Sequence, residues 1–377
     1  MRPDRAGDAH AADPSGEAAR TDGGRDALLE VEGLTTVFHT DKETIRAVDD
    51  VSFTVEEGRT LGIVGESGSG KSVTARSILG LVDSPGVIES GSIRFRGDEL
   101  TDDNWNAHRG DISIVFQDPS NSLNPVYTVG NQIRETLRIH QGLRGQAARE
   151  EAVRLLESVG IPDARRRVTE YPHQFSGGMR QRAVIAVALA CDPDLLVCDE
   201  PTTALDVTIQ AQILELLDEL QEEEDLAIMF ITHDMGVIEE TADRVNVMYA
   251  GEIVESAPVD ELFDSPQHPY TRGLLASIPG RTVSGDRLPT IGGEVPTPTT
   301  EPTDCRFAAR CPEAFEACER VHPEPVRVGP DHAAACLLHE EGYDQGFGDS
   351  SVGPAPGGSG DGTATDGDAA TDGGERE

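Results

Sequence analysis

"GESGSGKS", Gly65 to Ser72, follows the apolar run "TLGIV" and precedes a segment, Val73 to Leu81, whose pattern predicts a helix. That setting gives the loop its meaning. The series Gly65-x-x-x-x-Gly70-Lys71-Ser72 fits the P-loop, in which a glycine-rich turn wraps backbone N–H groups around phosphates at a helix N-terminus. The expected cradle is Gly65, Glu66, Ser67, Gly68, Ser69, Gly70, Lys71, Ser72 and Val73. Lys71 is expected at the β/γ-phosphates and Ser72 at a Mg²⁺ ion. Among 31 basic residues only Lys42 and Lys71 are lysines. A chain that has otherwise abandoned lysine keeps one where a compact ammonium fits and a planar guanidinium does not.

Outward from this loop the pattern alternates between strands and helices. "LLEVEGLTTVF", "RAVDDVSFTV", "SIRFRG" and "ISIVFQD" read as strands, and residues 130 to 190 are mostly helical in pattern. Alternation resumes with "DLLVCDE", "QAQILELLDELQ", "LAIMFITHD" and "RVNVMYAG". The expected fold is α/β, a mostly parallel sheet flanked by helices and interrupted by a helical insertion. The apolar strand "DLLVCDE" ends in Asp199 and Glu200. With a P-loop upstream, Asp199 is expected to hold Mg²⁺ and Glu200 to orient or deprotonate an attacking water.

Composition narrows the setting. With 69 acidic against 31 basic residues, the formal net charge is −38. That balance argues against a nucleic-acid partner. Such a chain repels itself in dilute buffer, whereas at molar salt the Debye length shrinks to about 3 Å. The balance suggests a salt-rich cytoplasm, a halophile's signature, with an acidic protein from an ordinary cell as the alternative. No apolar run reaches the roughly 18 residues of a membrane span, and the N-terminus lacks the apolar core of a secretory signal. We therefore expect a cytoplasmic chain. Residues 1–26 and 346–377 read as disordered tails, 27–280 as the main domain with a helical part at about 118–180, and 281–345 as a Pro/Gly/Cys-bearing extension.

Five motifs in order then carry a resemblance. The P-loop, "VFQDP", "FSGGMRQR", "LLVCDEPTTALD" and "ITHD" are similar to those of the ATPase subunit of an ATP-binding-cassette (ABC) transporter over roughly residues 27 to 280. The resemblance implies the ABC-type mixed sheet with an antiparallel β subdomain. It implies Gln117 as the Q-loop residue, at Mg²⁺ and facing the membrane subunits. Asp206 would be the D-loop aspartate, His233 the switch histidine at the γ-phosphate, and Phe38 the aromatic stacked on adenine. It also explains a second glycine-rich site, Ser176, Gly177 and Gly178, in a chain that already has a P-loop. In this family two ATPase domains pair head to tail, and each such signature caps the γ-phosphate held by the other. Phe175 and Met179 replace the usual Leu and Gln, and the Met form is familiar among peptide importers.

"FQDPSNSLNPVYTVGNQI", "HPYTRGLLASIP" and "VMYAGEIVE" resemble the dipeptide/oligopeptide importer branch, and "GESGSGKSVTARSILGL" its D-type subunit. The branch also includes importers of sugars and of nickel. The implied partners are two permeases, a second ATPase chain (an F-type paralogue or a second copy) and an external solute-binding protein, with the chain on the cytoplasmic face of the membrane. A soluble cassette ATPase is the other reading. It is disfavoured because such proteins carry two cassettes or long coiled coils. Cys305, Cys311, Cys318 and Cys336 follow the spacing C-x5-C-x6-C-x17-C. Zinc ribbons use tighter pairs, iron–sulfur clusters accept looser spacing, and the resemblance implies a [4Fe–4S] site in some importers of the branch. Zinc and plain burial as small hydrophobes stay open. Distance along the chain from the P-loop leads us to expect a structural role for this segment, away from hydrolysis.

Overall fold

The structure, a computed structural model, describes residues 27–101, 104–203, 205–278 and 291–340, with the side chains of 120 and 121 left aside. The expected tails and the expected boundary at 280/281 lie outside these residues. Strands β1 (Ala27–His39) and β2 (Thr44–Glu56) lead into β3 (Thr60–Val64) and helix α1 (Lys71–Ile78). Next come β4 (Gly86–Phe95), β5 (Asp98–Glu99) and β6 (Ile112–Val115). Helices α2 (Pro119–Ser122), α3 (Val129–His140), α4 (Gly145–Ser158), α5 (Ala164–Arg167) and α6 (Gly177–Leu189) form the insertion. The alternation resumes with β7 (Leu195–Asp199), α7 (Val207–Glu224), β8 (Ala227–Thr232), α8 (Met235–Thr241), β9 (Arg244–Tyr249) and β10 (Glu252–Pro258). Helices α9 (Val259–Asp264) and α10 (Pro269–Ala276) precede the short strands β11 (Pro325–Arg327) and β12 (Ala333–Ala335).

Two sheets result. One is antiparallel, in the order β2-β1-β4-β5; the other is mixed, in the order β11-β12-β10-β9-β3-β8-β7-β6. Within the second, β9, β3, β8, β7 and β6 are parallel. Strand β8 is buried along its whole length, as strands covered on both faces must be. Its alternate residues serve two cores: Ile228 and Phe230 face the helical insertion and α7, while Ala227, Met229 and Ile231 face α1 and the antiparallel sheet. The same alternation in β7 sends Leu195 and Val197 towards α1, which sets the direction of Asp199 two residues on.

The segment after residue 290 builds no core of its own. Strand β12 pairs with β10, through Glu255 with Ala334 and Ser256 with Ala333, and so extends the main sheet. Phe307 is buried in the larger core. A Pro/Gly-rich stretch poor in apolar residues is ordered here by borrowing the cassette's surface. Among the described residues no helix is long and apolar enough to cross a membrane.

Candidate nucleotide site

The loop Gly65–Ser72 leaves the carboxyl end of β3, the place where open α/β sheets bind ligands. Two of its glycines are required by close approach. A Cβ on Gly65 would stand 2.2 Å from the Met248 carbonyl oxygen, and one on Gly70 2.4 Å from that of Ala47. The loop is thus wedged between β9 and β2. Inside it Lys71 is almost fully buried, its Nζ donating to the carbonyls of Gly65 at 2.8 Å and Glu66 at 3.0 Å. Burial pushes its pKa down, against Glu200, Asp199 and Glu66, which pull it up.

Strand parity brings Asp199 to the α1 face, where the Ser72 hydroxyl donates to Asp199 Oδ1 at 2.9 Å. Burial pushes the Asp199 carboxyl up; the Ser72 bond opposes that shift. A hydroxyl and a carboxylate at this separation are hard oxygen donors of the kind Mg²⁺ takes, so the residues present fit the ion. Glu200 then turns out of the strand with φ 49°, a conformation uncommon for a residue with a side chain. Its N–H still donates to the Ile231 carbonyl at 2.8 Å. Its carboxylate accepts from Gln117 Nε2 at 2.7 Å and Thr203 Oγ1 at 2.9 Å, and lies 3.2 Å from His233 Nδ1. Four motifs scattered over the sequence therefore meet: the P-loop, Gln117, the Asp199–Glu200 pair and His233.

The remaining predicted residues lie elsewhere. Ser176 caps α6 by accepting from the Met179 N–H at 3.3 Å, and Asp206 caps α7 by accepting from the Ile209 N–H at 3.1 Å. Gly178 lies against α7, since a Cβ there would stand 2.6 Å from Ile209 Cγ2. The described contacts of Ser176–Gly178 are with this second helix pair rather than with the P-loop of the same chain. Phe38 sits half-buried on β1, opposite Ile45 and Gly86.

Sequence reasoning missed three residues of the site, one at Glu200 and two at the loop. Thr203 lies inside a motif already singled out. Tyr270 lies in the quoted run "HPYTRGLLASIP", and its Oη accepts from the Glu66 N–H at 2.9 Å. Arg310 reaches Glu66 from the C-terminal extension. The extension, distant from the P-loop along the chain, is therefore in contact with it in space.

The cysteine expectation is also corrected. All six cysteines are free thiols. Among the described residues no group of three or more His, Cys, Asp or Glu side chains is arranged to hold a metal ion. Burial, with the neighbouring cysteines adding to it, pushes the Cys305 thiol up to about 12 and that of Cys336 up to about 11. Cys305 and Cys311 pack against the main core, and Cys318 and Cys336 are buried. The four do not fit a [4Fe–4S] cluster or zinc as arranged; they pack as small hydrophobes.

A phosphate loop on the central strand, facing a carboxylate pair on the next strand but one, defines a P-loop nucleoside triphosphatase with the cassette architecture. Solved structures agree. CbiO1 from Clostridium perfringens, part of an ABC transporter complex, superposes with a TM-score of 0.56 at 28% identity, over 64% of this chain and 92% of its own. A dimeric ATP-binding cassette in a post-hydrolysis state with ADP and phosphate gives 0.55 at 29%, over 62% and 99%. Residues 48–203 match the ABC transporter family and 254–318 the C-terminal region of oligopeptide/dipeptide transporters. Two proteins of Brucella abortus, each named as a peptide import ATP-binding protein, are 53% and 51% identical. The first aligns over 79% of this chain and 91% of its own, the second over 84% and 98%. The chain belongs to the ABC transporter ATPases of the oligopeptide/dipeptide importer type. As an ATPase of this family it hydrolyses ATP with Mg²⁺.

Proposed function

We propose that the chain is the D-type ATPase subunit of a peptide importer, working with a second cassette chain and two permeases on the cytoplasmic face of the membrane of a halophile. The carrying observation is the meeting of Ser72, Asp199, Glu200, Gln117 and His233 beside the P-loop. In this reading Lys71 exchanges its two backbone carbonyls for the β/γ-phosphates, and the loop's N–H groups wrap the rest. Ser72, Asp199 and Gln117 would hold the Mg²⁺ ion, whose chemistry there would be to neutralise phosphate charge. Glu200 accepts the proton of the attacking water, and His233 lies towards the γ-phosphate. Phe38 stacks on adenine. Ser176, Gly177 and Gly178, with Asp206 behind them, serve the nucleotide of the partner cassette.

A cavity of about 800 Å³ supports a docked permease. It runs between the sheet and the helical insertion, and its lining includes Phe116, Gln117, Leu81 and Val187. Phe116, Val126 and Tyr127 are exposed at 38%, 71% and 53%, apolar surface that an isolated domain has little reason to show. Bound there, a permease would touch the residue that contacts Glu200. Solute choice is assigned to the external binding protein, and a [4Fe–4S] cluster has no part in this reading. The test is ATP hydrolysis by the chain reconstituted with its permeases and second ATPase in vesicles. Peptide-loaded binding protein should stimulate it several-fold, and Lys71→Ala should abolish the stimulated rate. Stimulation by a non-peptide solute alone would overturn the peptide assignment.

A further inference from the structure

Glu66 is the sole acidic residue in the loop Gly65–Ser72. A carboxylate at the mouth of an anion-binding loop opposes the approach of a triphosphate. Arg310 answers that charge. It ends the short 3-10 turn Ala308–Arg310 of the C-terminal extension, and its side chain is 6% exposed. Nη1 lies 2.7 Å from Glu66 Oε2 and Nη2 3.0 Å from Oε1, a bidentate pair. Exposed ion pairs contribute little, but a buried fork with its other donors used is a different object. Here Nε donates to the Gly292 carbonyl at 2.8 Å, Nη1 lies 3.3 Å from Tyr249 Oη, and the guanidinium stands 5.6 Å from the centre of the Tyr249 ring.

The backbone of Glu66 is gripped as well. Its N–H donates to Tyr270 Oη at 2.9 Å and its carbonyl accepts from Lys71 Nζ at 3.0 Å. Tyr249, Tyr270 and Phe307 support this arrangement as a cluster of rings, 4.7 to 5.4 Å between centres. Four residues before Arg310, Arg306 forms a second anchor. It donates to the Ala250 carbonyl at 2.7 Å and pairs with Asp49, on β2 beside the Ala47 carbonyl that touches Gly70. The extension thus braces the loop near both ends.

We propose that Arg310 is a positioning residue of the ATPase site. Acting through Glu66, it fixes the loop in its phosphate-binding shape and cancels the carboxylate that would repel the nucleotide. The inference rests on the reading of Gly65–Ser72 as the nucleotide cradle. The extension then contributes to ATP affinity, and the chain's C-terminal part is a component of its active site.

The test is steady-state ATP hydrolysis by the full chain at high salt, for wild type, Lys71→Ala, Arg310→Gln, Arg310→Lys, Glu66→Gln and the double variant Glu66→Gln/Arg310→Gln. Arg310→Gln should raise KM for ATP about tenfold while kcat changes less than about threefold, because loop shape and charge act on binding before chemistry. Arg310→Lys, which keeps the charge and loses the fork, should fall between. The double variant should return KM to within about threefold of Glu66→Gln alone, since removing the carboxylate removes the reason for the arginine. A merely structural brace would instead lower kcat and thermal midpoint together and leave the double variant as impaired as Arg310→Gln. That result, or a wild-type KM in Arg310→Gln, overturns the proposal. If Arg310→Gln does not fold, the comparison of Glu66→Gln with the double variant decides it in the same way. Lys71→Ala separates the two claims. Its loss of hydrolysis upholds the cradle whatever Arg310 does, and a fully active Lys71→Ala would sink the cradle and this inference together.

Discussion

Glu200 shows how one residue's conformation makes a site. Its positive φ rotates the carboxylate out of the register of β7 and into reach of Gln117, Thr203 and His233, while Asp199, one residue earlier, stays on the α1 face with Ser72. Two adjacent acids are thereby given different surroundings and different tasks. Replacing Glu200 by Gln keeps shape and hydrogen bonds but removes the base. ATP binding should persist while hydrolysis slows by roughly 10²- to 10⁴-fold, the usual worth of a positioned base. An unchanged rate would exclude Glu200 from that role. Lys71 makes a second prediction from size. Its ammonium is buried between two carbonyls only 2.8 and 3.0 Å away. Lys71→Arg should therefore bind ATP weakly despite keeping the charge, because the planar fork does not fit that space. Full binding by the arginine variant would refute the argument from lysine scarcity.

At the scale of elements, α10 is the piece whose importance was hidden. Its N-cap is a histidine: the N–H of Tyr270 donates to His268 Nδ1 at 3.1 Å, so the ring must be neutral there. Burial, with Arg272 and His339 adding to it, lowers the His268 pKa to about 3. A histidine of ordinary pKa in the unfolded chain takes up a proton near 6.5, whereas the folded one resists until about 3. Its contribution to stability is therefore complete above pH 6.5 and is lost as pH falls towards 3, by up to about 1.4 kcal/mol per pH unit. His268→Asn keeps a capping side chain and should flatten that acid limb in denaturant titrations; parallel limbs would show that protonation of His268 does not drive the acid limb. The sheet strands, α1 and the helical insertion were legible because period-two and helical patterning and the P-loop signature are local. Gln117, Asp199, Glu200 and His233 were legible as motifs in order. The Glu66–Arg310 pair, Tyr270's bond to the loop and the pairing of β12 with β10 were not, because each depends on a long-range fold-back that neither composition nor spacing encodes. The cysteines left cluster, zinc and plain burial open, because four thiols in one stretch do not reveal their packing; Cys305 and Cys311 lie against the main core, and Cys318 and Cys336 are buried.

For the whole molecule, charge and incompleteness govern behaviour. A net charge of −38 must be screened for two such chains to approach. Hydrolysis should fall steeply when salt is lowered from molar to about 0.1 M, where the Debye length grows to about 10 Å; activity that rises on dilution of salt would contradict the halophile reading. The deeper claim is that one chain carries half of each active site, with Ser176–Gly178 lying against α7 and Lys71 elsewhere in a loop of its own. The most direct measurement is the rate of ATP hydrolysis per chain as protein concentration is raised at constant high salt. The account predicts that turnover per chain climbs with concentration and that adding the paralogous ATPase raises it further. A substantial rate per chain that stays flat across the range, with no partner present, would show that a single chain completes its own site and would contradict the account.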